Sequence, residues 1–194
     1  MNETQTAPQS SVPLEPAPDS PEADLKSGQE HLRQGNLTAA AYAFHNALIG
    51  FEQANKDEGV ANAANNLGDI CVQRKDFTAA INHYERAFAI CERLSDPSSL
   101  LYLRKKLAKT HHDLKQFDAV IKGYNTLLDI YLSRNNPEGA VETLLMLAEV
   151  YLDKGERPAA ADSFRTAASI HASFKHTKQA EELLARAKAI EAGE

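Results

Sequence analysis

A chain of 194 residues, 43% hydrophobic and 25% charged, is long enough to bury a sizeable core, and its formal charge of −6 excludes the dominant basic surface that a nucleic-acid backbone requires. No apolar run reaches the length of about eighteen residues needed to span a bilayer, and two cysteines, Cys71 and Cys91, exclude a disulfide framework. Aromatics are only 7%, tryptophan is absent, alanine is frequent and no alternating β-branched run occurs, so helices rather than strands are expected. The first basic residue is Lys26, which is too late for an export signal, and a cytoplasmic location without membrane contact is the expectation.

Residues 1–20 carry Pro8, Pro13, Pro16 and Pro18 among Ser, Gln and Thr, with only isolated apolar residues such as Val12 and Leu14. Such an acidic, proline-rich segment buries too little surface to offset its ordering entropy, and a disordered tail is expected. It reads as an inert leader, with a tether or short docking motif as the alternative.

From Pro21 the sequence repeats at a step of 40 residues. Gly28, Gly68, Ala108 and Ala148 form one column, and Leu37, Phe77, Phe117 and Arg157 another. Ala40, Ala80, Val120 and Ala160 form a third, Phe44, Tyr84, Tyr124 and Phe164 a fourth, and Ala47, Ala87, Leu127 and Ala167 a fifth. Within a unit, Leu67, Gly68 and Cys71 share one helix face, while Ala80, Ile81, Tyr84, Ala87 and Phe88 share a face of a second helix. Lys75-Asp76-Phe77 turns the chain between them, with Asp76 as N-cap, and Gly35-Asn36, Lys115-Gln116 and Gly155-Glu156 are its counterparts. A second punctuation separates units at 55–59, 95–97 and 135–139, where Asp96 and Asn136 cap helices opened by Pro97 and Pro137. The pattern predicts helices at about 21–34, 38–55, 58–74, 78–94, 98–114, 118–134, 138–154, 158–174 and 177–192. In the last, Ala180, Leu183, Leu184, Ala187 and Ile190 form an apolar stripe, and Glu181, Glu182, Arg186, Lys188 and Glu191 face away, as in a capping helix.

The segment NNLGDICVQRKDFTAAINHYERAFAI, residues 65–90, resembles the tetratricopeptide-repeat family: a small residue after Leu in the first helix, a turn aromatic, then Ala, an aromatic and Ala in the second. Ser27 and Arg157 depart from this pattern in the first and fourth repeats. The resemblance covers residues 21–192 and implies an all-α, right-handed superhelical stack of four hairpins, at about 21–56, 57–96, 97–136 and 137–176, plus the capping helix 177–192. The family's usual step is shorter by six residues, and the extra length reads as about one more turn on the helices. The long repeat looks like that of kinesin light chains and signalling adaptors.

No phosphate loop, dinucleotide fingerprint, nucleophile elbow or HExxH zinc motif is present, so catalytic residues, metal and cofactor are all expected to be absent. His31, His111 and His171 sit in packing columns, and adjacent His111 and His112 point about 100° apart. Cys71 and Cys91 read as small buried residues lying too far apart along the helices to pair.

The resemblance implies that the first helix of each repeat lines a concave groove holding a partner. Those outward positions are Asn62, Asn65, Asn66, Asp69 and Gln73 in the second repeat, and Tyr102, Lys105, Lys106, Lys109 and His112 in the third. The fourth offers Glu142, Leu145, Met146, Glu149 and Leu152, and the first offers Leu25, Gln29 and Leu32. The basic stripe of the third repeat suits an acidic peptide, and the asparagines suit a peptide backbone. The bland alternative pairs the lysines internally, with Lys109 facing Asp69 and Glu149 of its own column. The co-chaperone clamp for an acidic C-terminus is matched at Asn66 and Lys106 but not at Leu25, Gln29 or Tyr102. A non-catalytic adaptor holding a protein or peptide partner is therefore expected, with a self-assembling structural protein as the alternative.

Overall fold

The computed structural model describes residues 20–193, so the tail reading over 1–19 lies outside the described residues. Ser20, which the sequence groups with the tail, is the N-cap of the first helix, its hydroxyl accepting from the Ala23 N–H at 3.1 Å. Among the described residues the chain forms nine α-helices and no strand: α1 Pro21–Arg33, α2 Leu37–Gln53, α3 Asp57–Gln73, α4 Phe77–Arg93, α5 Pro97–Asp113, α6 Phe117–Ser133, α7 Pro137–Lys154, α8 Arg157–Ser173 and α9 Thr177–Ala192. Each helix packs against its neighbours in the chain, which makes a solenoid of hairpins.

One turn serves every connection. Gly35, Asn55, Lys75, Ser95, Lys115, Asn135, Gly155 and Lys175 all lie in the left-handed region, with φ between 51° and 85°. The N–H of the following residue returns to the carbonyl at the last helical turn, as Asn36 to His31 and Asp76 to Cys71, at 2.9 Å in both. The sequence distinguishes a turn inside hairpins from a punctuation between them, but the backbone does not. Asn36, Asp76, Asp96 and Asn136 cap the helices that follow by accepting from backbone N–H groups, and Pro97 and Pro137 open theirs. In Asp96 the hydrogen bonds from Ser99, side chain and backbone, hold the carboxyl below its usual range.

The repeating columns are the core. Ala40, Ala80, Val120 and Ala160 are fully buried, and so are Phe44 and Phe164. Burying such a ring contributes about 1.5–3 kcal/mol, but only because the opposite helix leaves room for it. A Cβ at Gly28 would meet the Phe44 ring at 2.6 Å, and one at Gly68 would meet Tyr84 at 2.4 Å. The same device recurs between repeats, where Gly59 lies under Phe51 and Gly139 under Tyr131, each at 2.4 Å.

Helix α9 covers the end of the stack, and here one expectation is corrected. Ala180, Ala187 and Ile190 are buried and Leu183 partly so, but Leu184 points outward, 42% exposed. Arg186 and Glu191 are exposed, and each forms an ion pair with another helix, Arg186 with Glu149 and Glu191 with Arg165. Cys91 is buried, whereas Cys71 is only half-buried; both are free thiols, and burial pushes each of them up.

Candidate functional site

The odd-numbered helices stand side by side, joined by lateral contacts between α3 and α5, α5 and α7, and α7 and α9. This layer holds every position that the sequence assigns to a partner.

Its densest node is Asp69. The carboxylate accepts from the Tyr84 hydroxyl at 2.6 Å and from the Lys106 ammonium at 2.6 and 2.7 Å, and Lys106 also reaches the Asn65 Oδ1 at 2.8 Å. Lys106 lies 5.3 Å from the Tyr84 ring centre and 4.5 Å from that of Tyr102. Burial, then the hydrogen bond to Asp69, pushes the Tyr84 phenol well above its ordinary value. Asn65, Tyr84 and Tyr102, from α3, α4 and α5, thus close on one partly buried charge pair.

Lys105 donates to Glu142 at 2.9 Å and lies over the Tyr131 ring. Burial works against its charge, yet the hydrogen bonds with Glu142 and Tyr131 prevail and its pKa is raised. His112 meets Asp153 at 2.8 Å through Nε2, while His111 meets Gln116 through Nδ1 at 2.6 Å, so the two adjacent rings serve different partners. Glu149 pairs with Arg186, whose guanidinium lies 4.5 Å from the Phe164 ring centre. Leu145 and Leu152 pack into the cluster with Leu183 of α9, and Met146 packs into the neighbouring cluster around Tyr131.

The lateral pairing expected for the basic stripe therefore exists, but not through Lys109. Lys106 takes Asp69 and Arg186 takes Glu149, each one helical turn earlier in register than the sequence columns suggest. Lys109 is exposed and makes no ion pair among the described residues; its register counterpart is Met146. The signal was available in the sequence as an offset of 37 residues between opposite charges, seen in Asp69–Lys106, Glu142–Lys105 and Glu149–Arg186. Arg186 and the Tyr84 hydroxyl carry no local signal, because each meets its partner only across packed helices.

Asn62, Asn65 and Tyr102 remain around an open cavity of about 560 Å³ between α3 and α5. Tyr102 is 55% exposed. Asn66 is turned back along its own helix, donating to the Asn62 carbonyl at 2.9 Å and side-chain oxygen at 2.8 Å. Among the described residues no group of three or more His, Cys, Asp or Glu side chains is arranged to hold a metal ion, and no helix is long and apolar enough to cross a membrane.

These features define an α-solenoid of the helical-repeat class. Residues 21–93 match the family model of the tetratricopeptide repeat. Among solved structures, the apo form of RapI is 15% identical with a TM-score of 0.72, the match covering 89% of this chain and 64% of that one. A putative kinesin light chain from Podosopora anserina, with nearly identical TPR-like repeats, is 15% identical with a TM-score of 0.59, covering 89% of this chain and 94% of that one. A Rap protein complexed with Competence and Sporulation Factor is 15% identical with a TM-score of 0.57, covering 88% of this chain and 48% of that one. This chain thus spans less than two thirds of RapI, and at these identities the likeness is one of fold alone. No curated protein matches.

Proposed function

We propose that this protein is a non-catalytic interaction scaffold that receives an extended peptide segment along its odd-numbered helices. The observation that carries the reading is the uncovered stretch on α3 and α5, where Asn62, Asn65 and Tyr102 line an open cavity of about 560 Å³ and Lys109 stands exposed two turns further along α5. Tetratricopeptide-type arrays are protein-binding folds, and the Rap neighbour is seen with a bound factor. Most cations of the stripe are already matched by carboxylates of adjoining helices, so recognition on α5 rests on amide, phenol and Lys109 chemistry more than on a basic field. Lys105, Lys106, His112, Glu142, Leu145 and Glu149 flank the peptide path and shape it.

The test is affinity capture from native lysate with the wild-type chain and a Tyr102→Ala, Lys109→Glu variant of equal helicity, followed by crosslinking mass spectrometry. A partner captured only by the wild type, crosslinked to α3 and α5, is expected. Crosslinks confined to the even-numbered helices, or equal capture by both proteins, would overturn the proposal. Recovery of this chain alone would point to self-assembly.

A further inference from the structure

The junction between α4 and α5 breaks a pattern that the α2–α3 and α6–α7 junctions keep. Between α2 and α3 the Phe51 ring lies against Gly59, and between α6 and α7 the Tyr131 ring lies against Gly139. The equivalent pair between α4 and α5 is Cys91 and Ser99. A thiol and a hydroxymethyl together fill less space than an aromatic ring, and the cavity of about 560 Å³ opens at this junction, reaching Cys91 and Ser99 with Ala61 and Leu103 as further apolar wall. Its position is the one that aromatic side chains occupy elsewhere in the same molecule.

The rim carries charge of one sign. Glu58 and Asp96 line the cavity, and no Lys or Arg does. Asn62 and Asn65 stand on the α3 side, and each commits its side-chain oxygen internally, to Asn66 and to Lys106 respectively. Lysine has only donors, so its partner atom on Asn65 is the oxygen. The NH2 groups of both amides are left to donate to the carbonyls of an extended chain.

We propose that this cavity is a specificity pocket that takes an aromatic side chain of the partner peptide, with an adjoining Lys or Arg of that peptide held by Glu58 and Asp96. The ring replaces the one missing at Cys91, and the cation answers the Glu58 and Asp96 carboxylates, since the Lys106 ammonium beside Asn65 and Tyr102 is held by Asp69. This inference rests on the reading of the odd-helix face as a peptide-binding surface and gives that surface a sequence preference. The preference is the opposite of the acidic ligand that a basic stripe would select.

The experiment is an NMR titration of the isotope-labelled full chain with three peptides, Gly-Ser-Phe-Arg-Ser-Gly, Gly-Ser-Ala-Arg-Ser-Gly and Gly-Ser-Phe-Glu-Ser-Gly. The Phe-Arg peptide is expected to bind about tenfold or more tightly than either control, each lost contact being worth at least about 1.4 kcal/mol, with shifts at Cys91, Ser99 and Leu103. In a second arm, Cys91→Phe with Ser99→Gly rebuilds the Phe51–Gly59 junction and is expected to keep or raise the melting temperature while erasing the preference. Equal binding of all three peptides to α3 and α5 overturns the pocket's specificity and leaves the binding surface standing. Shifts nowhere on α3 or α5 overturn the pocket, and the capture experiment then decides the surface separately. The comparison on the unmodified chain is decisive even if the double variant fails to fold.

Discussion

Lys106 and Arg186 occupy the same structural position two repeats apart. Each reaches a carboxylate on the preceding odd-numbered helix, Asp69 for Lys106 and Glu149 for Arg186, and each lies over an aromatic ring of the even-numbered helix between them, Tyr84 and Phe164. This cation strut ties three successive helices together, and it recurs only in alternate repeats. At the intervening step Met146 stands opposite Lys109, and the strut is absent.

The strut makes Lys106 a structural residue. Replacing it with Met removes the donor to a partly buried carboxylate and is expected to lower stability by about 2 kcal/mol, whereas Lys109→Met stays within about 0.5 kcal/mol. Urea denaturation measures both. Adding Asp69→Asn to Lys106→Met should recover part of the loss, because the unpaired charge is then removed as well. Equal effects at positions 106 and 109 would remove the strut from the account.

Glycines in α3 and α6 have opposite roles. Gly68→Ala places a methyl group against the Tyr84 ring at 2.4 Å and is expected to cost about 1–3 kcal/mol, exceeding any gain in helix propensity. At Gly123 the nearest atom to an added Cβ is the Ala108 Cβ at 3.4 Å. Gly123→Ala is therefore expected to stabilise by about 0.5–1 kcal/mol through propensity alone. Thermal melts of the two variants shift in opposite directions.

Turns can be tested the same way. Lys75 holds φ at 62°, and Lys75→Gly relieves that conformation, with an expected gain of up to about 1 kcal/mol. Gly155→Ala at φ 85° loses a similar amount, with nothing nearby to relax. Asn136→Ala removes the cap to the Gly139 N–H and costs about 1 kcal/mol. Chemical denaturation of the three variants, with opposite signs for the first two, is the check.

A pH dependence follows from His83. Burial pushes its imidazole below the ordinary value; His45 adds to the effect and Asp76 opposes it. The unfolded chain therefore takes up a proton at this residue near pH 6.5, before the folded chain does. This contribution to stability is full above the unfolded value, and it is lost as pH falls from there to the folded value. Calorimetry between pH 7.5 and 5 should show a falling melting temperature that His83→Gln makes shallower. An identical slope in that variant would show that other groups carry the dependence.

Columns such as Ala80, Tyr84 and Ala87 located the helices, because a buried face repeats its chemistry wherever the backbone repeats its geometry. Caps at Asp76, Asp96 and Asn136 were equally plain, since capping depends on neighbours within a few residues. The Asp69 partner was not legible from its column, because column membership carries no information on the stagger between adjacent helices, which shifts the pair by one turn from Lys109 to Lys106. The Glu191–Arg165 pair leaves no mark in the sequence, because its two residues lie on different helices.

The amino-acid sequence by itself determined the helices, their turns and the order of their stacking, all of which rest on contacts local in the chain. Tertiary structure decided which charges on the odd-numbered helices are spent on neighbouring helices, and where a missing ring at Cys91 leaves space. Both depend on the lateral offset of packed helices and on the volumes that meet between them, and these are properties of the assembled stack.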